Sequence, residues 1–370
     1  MSSRLSASAG LTTHDAQVFG PARPLERRSS EQGSLECPLP AAPPVPAVAT
    51  VAVRGVAAKT RREHFEPGEI GSLVGGRFLL GCLLGRGGMA SVYAARDLSI
   101  GRSVALKILA RDYGKDPLIV ARFRREAEIT VGLRHPNVVE VFDFGSLEHR
   151  GEPLTYLAME LLEGESLRRT LKREGTLPWP RARALMLDIC AGLEAAHTAG
   201  VVHRDLKPSN CFRLDRFGSE SVQLVDFGIA KLVGKRSQAR LTLANHIVGT
   251  PEYMSPEQAC GEILDQRSDI YAAALILGEM LTGSLPFEAA TPSAMLAAHI
   301  YEPPRPLDSL APEGVEFPAE LAAIHARALS KNPAQRYPDI ASFAAALRDV
   351  ETRRPRRIFD FFARAFTTRR

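Results

Sequence analysis

A chain of 370 residues, 45% of them hydrophobic and 24% charged, is long enough for one two-lobed domain with flanking tails and apolar enough to bury a sizeable core. Its formal net charge is +5, and the stretch from Arg348 to Arg370 alone carries an excess of that size, so the remainder is neutral and no basic nucleic-acid-binding face is expected. Five scattered cysteines (Cys37, Cys82, Cys190, Cys211 and Cys260) lack metal-ligand spacing, which points to reduced thiols in a cytoplasmic protein and not to a disulfide framework.

In chain order, residues 1–75 come first, rich in Ser, Ala and Pro and proline-dense from Pro38 to Pro46. Such a composition buries too little apolar area to offset the entropy of ordering its backbone, so disorder is expected. Ala41 to Ala58 is apolar, but its prolines and Arg54 argue against a spanning helix, and no secretory apolar core follows Met1. No internal repeats are found. The folded body is expected over residues 76–350, with a basic amphipathic tail over 351–370.

Within the body, Phe78 to Leu83 and Val92 to Ala95 read as strands on either side of a glycine-rich stretch, Leu84-Gly85-Arg86-Gly87-Gly88-Met89-Ala90-Ser91-Val92. Glycines there let the backbone approach phosphates closely. Val104-Ala105-Leu106-Lys107 alternates as a strand with one buried face. Phe123 to Ile129 is a charged helix containing Glu126 and Glu128, and Tyr156 to Leu162 is an apolar strand. Apolar residues at helical spacing predict a helix over Arg181 to Ala199, stopped by Gly200.

That helix delivers the most informative segment, His203-Arg204-Asp205-Leu206-Lys207-Pro208-Ser209-Asn210, followed after a hairpin with its tip around Arg216 to Glu220 by Asp226-Phe227-Gly228. The inventory suits a site that takes a proton from a hydroxyl and holds a divalent metal against phosphates. Asp205 would accept or orient the proton, and Lys207 would stand as a fixed charge near the transferred phosphate. Asn210 and Asp226 offer the hard oxygens that magnesium prefers.

With these motifs in this order, the chain resembles the eukaryotic-like (Hanks-type) protein kinases, and among them the bacterial serine/threonine kinases. The resemblance implies an α+β, two-lobed fold with a small β-rich lobe and a larger helical lobe. It also implies transfer of the γ-phosphoryl of ATP to Ser and Thr hydroxyls of proteins, with Mg2+ or alternatively Mn2+. By the same resemblance, Leu84 to Val92 cover the nucleotide, with Ala90 in place of the family's third glycine. Ala105 lines the nucleotide pocket, and Lys107 grips the α- and β-phosphates. Its implied partner is Glu126, since an arginine-rich turn precedes it and His135-Pro136-Asn137 follows, while Glu128 fits an exposed helix face. Met159 becomes the gatekeeper, and the backbone of Glu160 and Leu162 the adenine-binding hinge.

Further along, the resemblance implies a clamp between Glu257, in Ser255-Pro256-Glu257, and Arg336. It implies that Asp269 braces the catalytic-loop backbone and that Thr250 contacts that loop. Lys207 and Gly249-Thr250-Pro251-Glu252-Tyr253 resemble serine/threonine rather than tyrosine kinases. A scaffold that binds without catalysis would be expected to lack Lys107, Asp205, Asn210 or Asp226, and all four are present. Autophosphorylation is expected in the activation segment. Of Ser237, Thr242 and Thr250, Thr242 is favoured as the acceptor, with Arg204 as a receiver of phosphate. Bacterial relatives often carry a membrane span and an external sensor after the kinase, and neither is expected here.

In the tail, Ile358, Phe361, Phe362, Ala365 and Phe366 form an apolar stripe at helical spacing behind Arg353, Arg354, Arg356 and Arg357. Docking on the large lobe or on a second protomer, giving a homodimer, is the favoured reading. Peripheral contact with the inner membrane surface is the alternative.

Overall fold

The computed structural model describes residues 70–87, 90–114, 116–216, 218–227 and 250–350. The N-terminal expectation up to residue 69, Gly88, Met89, Gly228, Ser237, Thr242 and the tail stripe lie outside the described residues, as does the side chain of Glu126.

The expected two-lobed α+β architecture is present. The small lobe is a six-stranded antiparallel sheet made of β1 (Leu73–Val74), β2 (Phe78–Arg86), β3 (Ala90–Asp97), β4 (Arg102–Leu109), β5 (Val141–His149) and β6 (Glu152–Glu160). Their order is β1-β2-β3-β4-β6-β5. The sheet begins before residue 76, because Val74 pairs with Phe78 and both are buried in the same cluster. The strands flanking the glycine-rich stretch also run further than their apolar runs. Pairing continues through Gly85↔Val92 and Arg86↔Ser91, which shortens the loop between them.

Alternation along β4 divides its side chains between two cores. Val104, Leu106 and Ile108 join Phe78, Tyr93 and Tyr156 on one face, while Ala105 and Leu109 join Val141, Leu157 and Met159 on the other. Short α1 (Arg111–Gly114) leads to α2 (Pro117–Val131), which covers that second face. Phe123 and Ala127, one helical turn apart, are its buried contacts.

Crossing into the large lobe, a second sheet of β7 (Gly164–Ser166), β8 (Cys211–Arg216) and β9 (Ser219–Leu224) is laid out in sequence order. Gly164 is required where β7 meets β8, since a Cβ there would stand 2.1 Å from the Arg213 carbonyl oxygen. Between these strands come α3 (Leu167–Glu174) and α4 (Trp179–Thr198). Helix α4 starts two residues before the predicted Arg181 because Pro180 fits the first turn, where its missing N–H has no intrahelical partner to lose. Gly200, at φ 76°, follows its end as predicted.

The rest of the lobe comprises α5 (Pro256–Cys260), α6 (Gln266–Thr282), α7 (Pro292–Tyr301), α8 (Ala319–Ala328) and α9 (Ile340–Asp349). Helix α6 is buried almost from end to end, apolar on all sides, and is the post around which α4, α8 and α9 pack. The two lobes also share a strip of backbone. Leu224 N–H donates to the Asn137 carbonyl (2.8 Å) and Val139 N–H to the Leu224 carbonyl (3.0 Å), while the Asn137 side chain donates to Val222 O at 2.8 Å.

Candidate active site

The loop between α4 and β8 is held from beneath by α6. The Asp269 carboxylate, 1% exposed, accepts the backbone N–H groups of His203 (2.7 Å) and Arg204 (2.9 Å). Asp269 thus braces the loop as the sequence implied. His197, near the end of α4, adds what the sequence did not reveal, since its Nε2 lies 2.8 Å from Asp269 Oδ2. With a carboxylate as partner, Nε2 is the protonated nitrogen and donates. The brace matters because Arg204 sits at φ 65°, and Asp226 at φ 56°, in the left-handed region that non-glycine residues avoid.

Above the brace, the predicted residues converge. Asp205 Oδ2 accepts from Lys207 Nζ (2.8 Å) and from Asn210 Nδ2 (3.3 Å), and Asn210 Nδ2 also donates to the Asp205 carbonyl (2.9 Å). Lys207 Nζ donates in turn to Thr250 Oγ1 at 3.2 Å, which joins the loop to residues 43 positions away. Asn210 is buried, and with its amide nitrogen committed to Asp205 its oxygen is the atom it presents to a cation.

Opposite, Lys107 on β4 donates to Asp226 Oδ1 at 2.9 Å. This places the lysine of the small lobe and a candidate metal ligand of the large lobe side by side. Glu128 is exposed, as the sequence implied for an outer helix face. Phe227 packs under the site, with its ring centroid 4.6 Å from that of His203. Burial holds the His203 imidazole below its ordinary pKa, so it stacks as a neutral ring.

Several of the residues expected to line a nucleotide pocket share one cluster. Ala105 pairs with Met159 across β4 and β6, and Val92 and Leu162 pack against the same group. Glu160 N–H is bonded to Glu140 O (2.8 Å), which ties the start of the expected hinge to the strip below it. Leu84, Gly85 and Arg86 are exposed along β2, Ser91 lies opposite Ile108 on β4, and the Gly87 N–H closes onto the Ala90 carbonyl at 2.8 Å. Two supporting residues carried no recognisable signal in the sequence, His197 and the Asn137 side chain. Each is a single polar residue whose partner lies at least 72 positions away.

Residues 78–346 match the family described as the protein kinase domain. Serine/threonine-protein kinase PknB of Mycobacterium leprae is 38% identical over 279 residues, 75% of this chain and 44% of that protein. Serine/threonine-protein kinase pkn3 of Myxococcus xanthus is 40% identical over 289 residues, 78% of this chain and 52% of that protein. The chain therefore spans about half the length of these curated relatives. Among solved structures, the kinase domain of Mycobacterium tuberculosis PknI superposes with a TM-score of 0.59 at 26% identity, covering 76% of this chain and 99% of that one. The matched region contains the whole constellation described above, and the chain belongs to the protein kinase domain family.

Proposed function

We propose that this protein transfers the γ-phosphoryl group of ATP to serine and threonine hydroxyls of protein substrates. The observation that carries the reading is the position of Lys207 Nζ, within hydrogen-bonding distance of both Asp205 Oδ2 and Thr250 Oγ1. One cation then orients the carboxylate that receives the substrate hydroxyl's proton and fixes the segment against which the substrate is laid. Phosphoryl transfer through a loose transition state asks the protein chiefly for such positioning and for positive charge. Lys107 supplies charge to the α- and β-phosphates, with Glu126 as its partner on α2. Ala105, Val92 and Met159 form the adenine pocket, with the hinge backbone at Glu160 and Leu162.

The residues present fit a divalent ion. The Asn210 amide oxygen and the Asp226 carboxylate are hard donors, and Mg2+ is commonly held by one or two protein oxygens together with phosphate oxygens and water. Bound there, the ion would neutralise charge on the phosphates, and Mn2+ accepts the same donors.

The direct test is transfer of labelled phosphate from ATP to a serine- and threonine-containing protein. Transfer is expected with magnesium and is expected to stop when a chelator removes it. A purified chain that binds ATP but transfers nothing with either metal would instead be a scaffold. The same reading includes autophosphorylation at Thr242. Mass spectrometry of active protein should find phosphate on that residue. Full activity in Thr242→Ala, with Thr242 unmodified in the parent, would exclude that acceptor.

A further inference from the structure

Arg204 directly precedes Asp205 and holds a left-handed backbone conformation at φ 65°. Its N–H is taken by Asp269 from below. Its carbonyl is taken from the other side: Gln258 Nε2 donates to Arg204 O at 2.7 Å, across 54 residues. Gln258 is the third residue of α5, and the other end of its amide is committed as well. Its Oε1 accepts the Ser255 N–H at 3.0 Å, while Ser255 Oγ accepts the Gln258 N–H at 3.4 Å. That reciprocal pair is a capping box, and the N-cap Ser255 is fully buried. One side chain therefore starts the helix with its oxygen and grips the strained peptide beside Asp205 with its nitrogen.

Helix α5 is itself immobilised. Glu257, the neighbour of Gln258, is paired with Arg336 at 2.7 Å, and Thr250, just upstream, meets Lys207. The Arg204 carbonyl is thus bonded to a fixed point on the segment that carries Thr250.

We propose that Gln258 is a positioning residue for phosphoryl transfer: its side-chain amide holds the Arg204–Asp205 peptide to the anchored end of the Thr250 segment, so that Asp205 is in place only when that segment is seated. The inference rests on the kinase reading above. Its physical content is that the nitrogen and the oxygen of Gln258 perform different tasks and can be separated.

Gln258→Glu separates them. A carboxylate still accepts the Ser255 N–H and is favoured at a helix N-terminus. Its second oxygen, however, faces the Arg204 carbonyl, acceptor against acceptor, and must withdraw. Ser255→Ala does the reverse, removing the hydroxyl acceptor of the cap while leaving the bond from Gln258 to Arg204.

Steady-state rates with ATP and magnesium, together with melting temperatures, should be measured for the full chain and both variants. Gln258→Glu is expected to melt within about 2 °C of the parent and to lose about tenfold in kcat at unchanged KM for ATP, as a shifted reacting group requires. Ser255→Ala is expected to melt about 3 °C or more lower and to keep its kcat within about twofold. A Gln258→Glu protein with parental kcat overturns the proposal, as does a rate loss that follows melting temperature in both variants. An inactive parent would overturn the kinase reading itself and this role with it, whereas an active parent confines any failure to Gln258.

Discussion

Replacing Lys107 by Met should leave the fold intact and reduce phosphoryl transfer by about a thousandfold or more, the loss anticipated when a fixed charge aimed at the phosphates is removed. Methionine keeps the length and the apolar stem that run past the Phe123 ring, 5.9 Å from Lys107 Nζ. The loss should therefore be confined to charge, with a melting temperature close to that of the parent. Asp205→Asn tests the other half of the site. Its amide can still meet Lys207 and Asn210 sterically but cannot take a proton from a hydroxyl. A comparable drop in kcat is expected, with ATP binding retained by calorimetry. Near-parental turnover in either purified variant would remove that residue from the mechanism.

The second large effect is on stability. Arg336 is the largest fully buried side chain among the described residues, and all five of its N–H groups have acceptors. Two form a fork on Glu257, at 2.7 and 2.8 Å, and the others reach the carbonyls of Arg267 (2.8 Å), Ser330 (2.8 Å) and Lys331 (3.1 Å). Ser268 Oγ completes the carboxylate at 2.6 Å. Arg336→Met removes the fork and leaves a buried, uncompensated charge, and about 3–5 kcal/mol of stability should be lost. Arg336→Lys should recover only part of it, because an ammonium has three donors and no planar fork.

The pH dependence has a definite sign. Burial acts to raise the Glu257 pKa, but the hydrogen bonds and charge of Arg336, helped by Ser268, outweigh it and hold the carboxyl below its ordinary value. A depressed native pKa adds stability above the unfolded value of about 4.5, and that stability is lost as pH falls below it. Denaturant melts should therefore show the gap between parent and Arg336→Met narrowing as pH is lowered below about 4.5. A gap that does not change with pH would mean that Glu257 is not ionised against Arg336.

What could be read from the sequence divides along a physical line. Asp205, Lys207 and Asn210 lie within six residues of each other, and a contiguous polar segment between apolar ones advertises its chemistry. Asp226 followed after a hairpin, which β8 and β9 form with its turn between Arg216 and Ser219. The Glu257–Arg336 pair and the Asp269 brace were legible only through family resemblance, because nothing local to any of these residues names a partner. His197, the Asn137 side chain and the bond from Gln258 to Arg204 escaped notice for the same reason: in each the partner is distant backbone or a distant carboxylate. Lys107 shows the limit in another form. The described geometry places it beside Asp226, a relation set by how the lobes meet and by nothing within β4, while the side chain of its implied partner Glu126 lies outside the described residues.

The strip from Asn137 to Val139 also fixes how the lobes can move. The small lobe is joined to the large one covalently, through residues 161–163, and again by the three hydrogen bonds along β9. A body pinned at two separated points keeps one rotational degree of freedom, about the line through both pins. Opening of the cleft between the lobes is then expected as a door-like swing and not a swivel. Lys107 is then expected to travel on an arc towards and away from Asp226, with Glu140 and Glu160, bonded to each other beside that axis, displaced least.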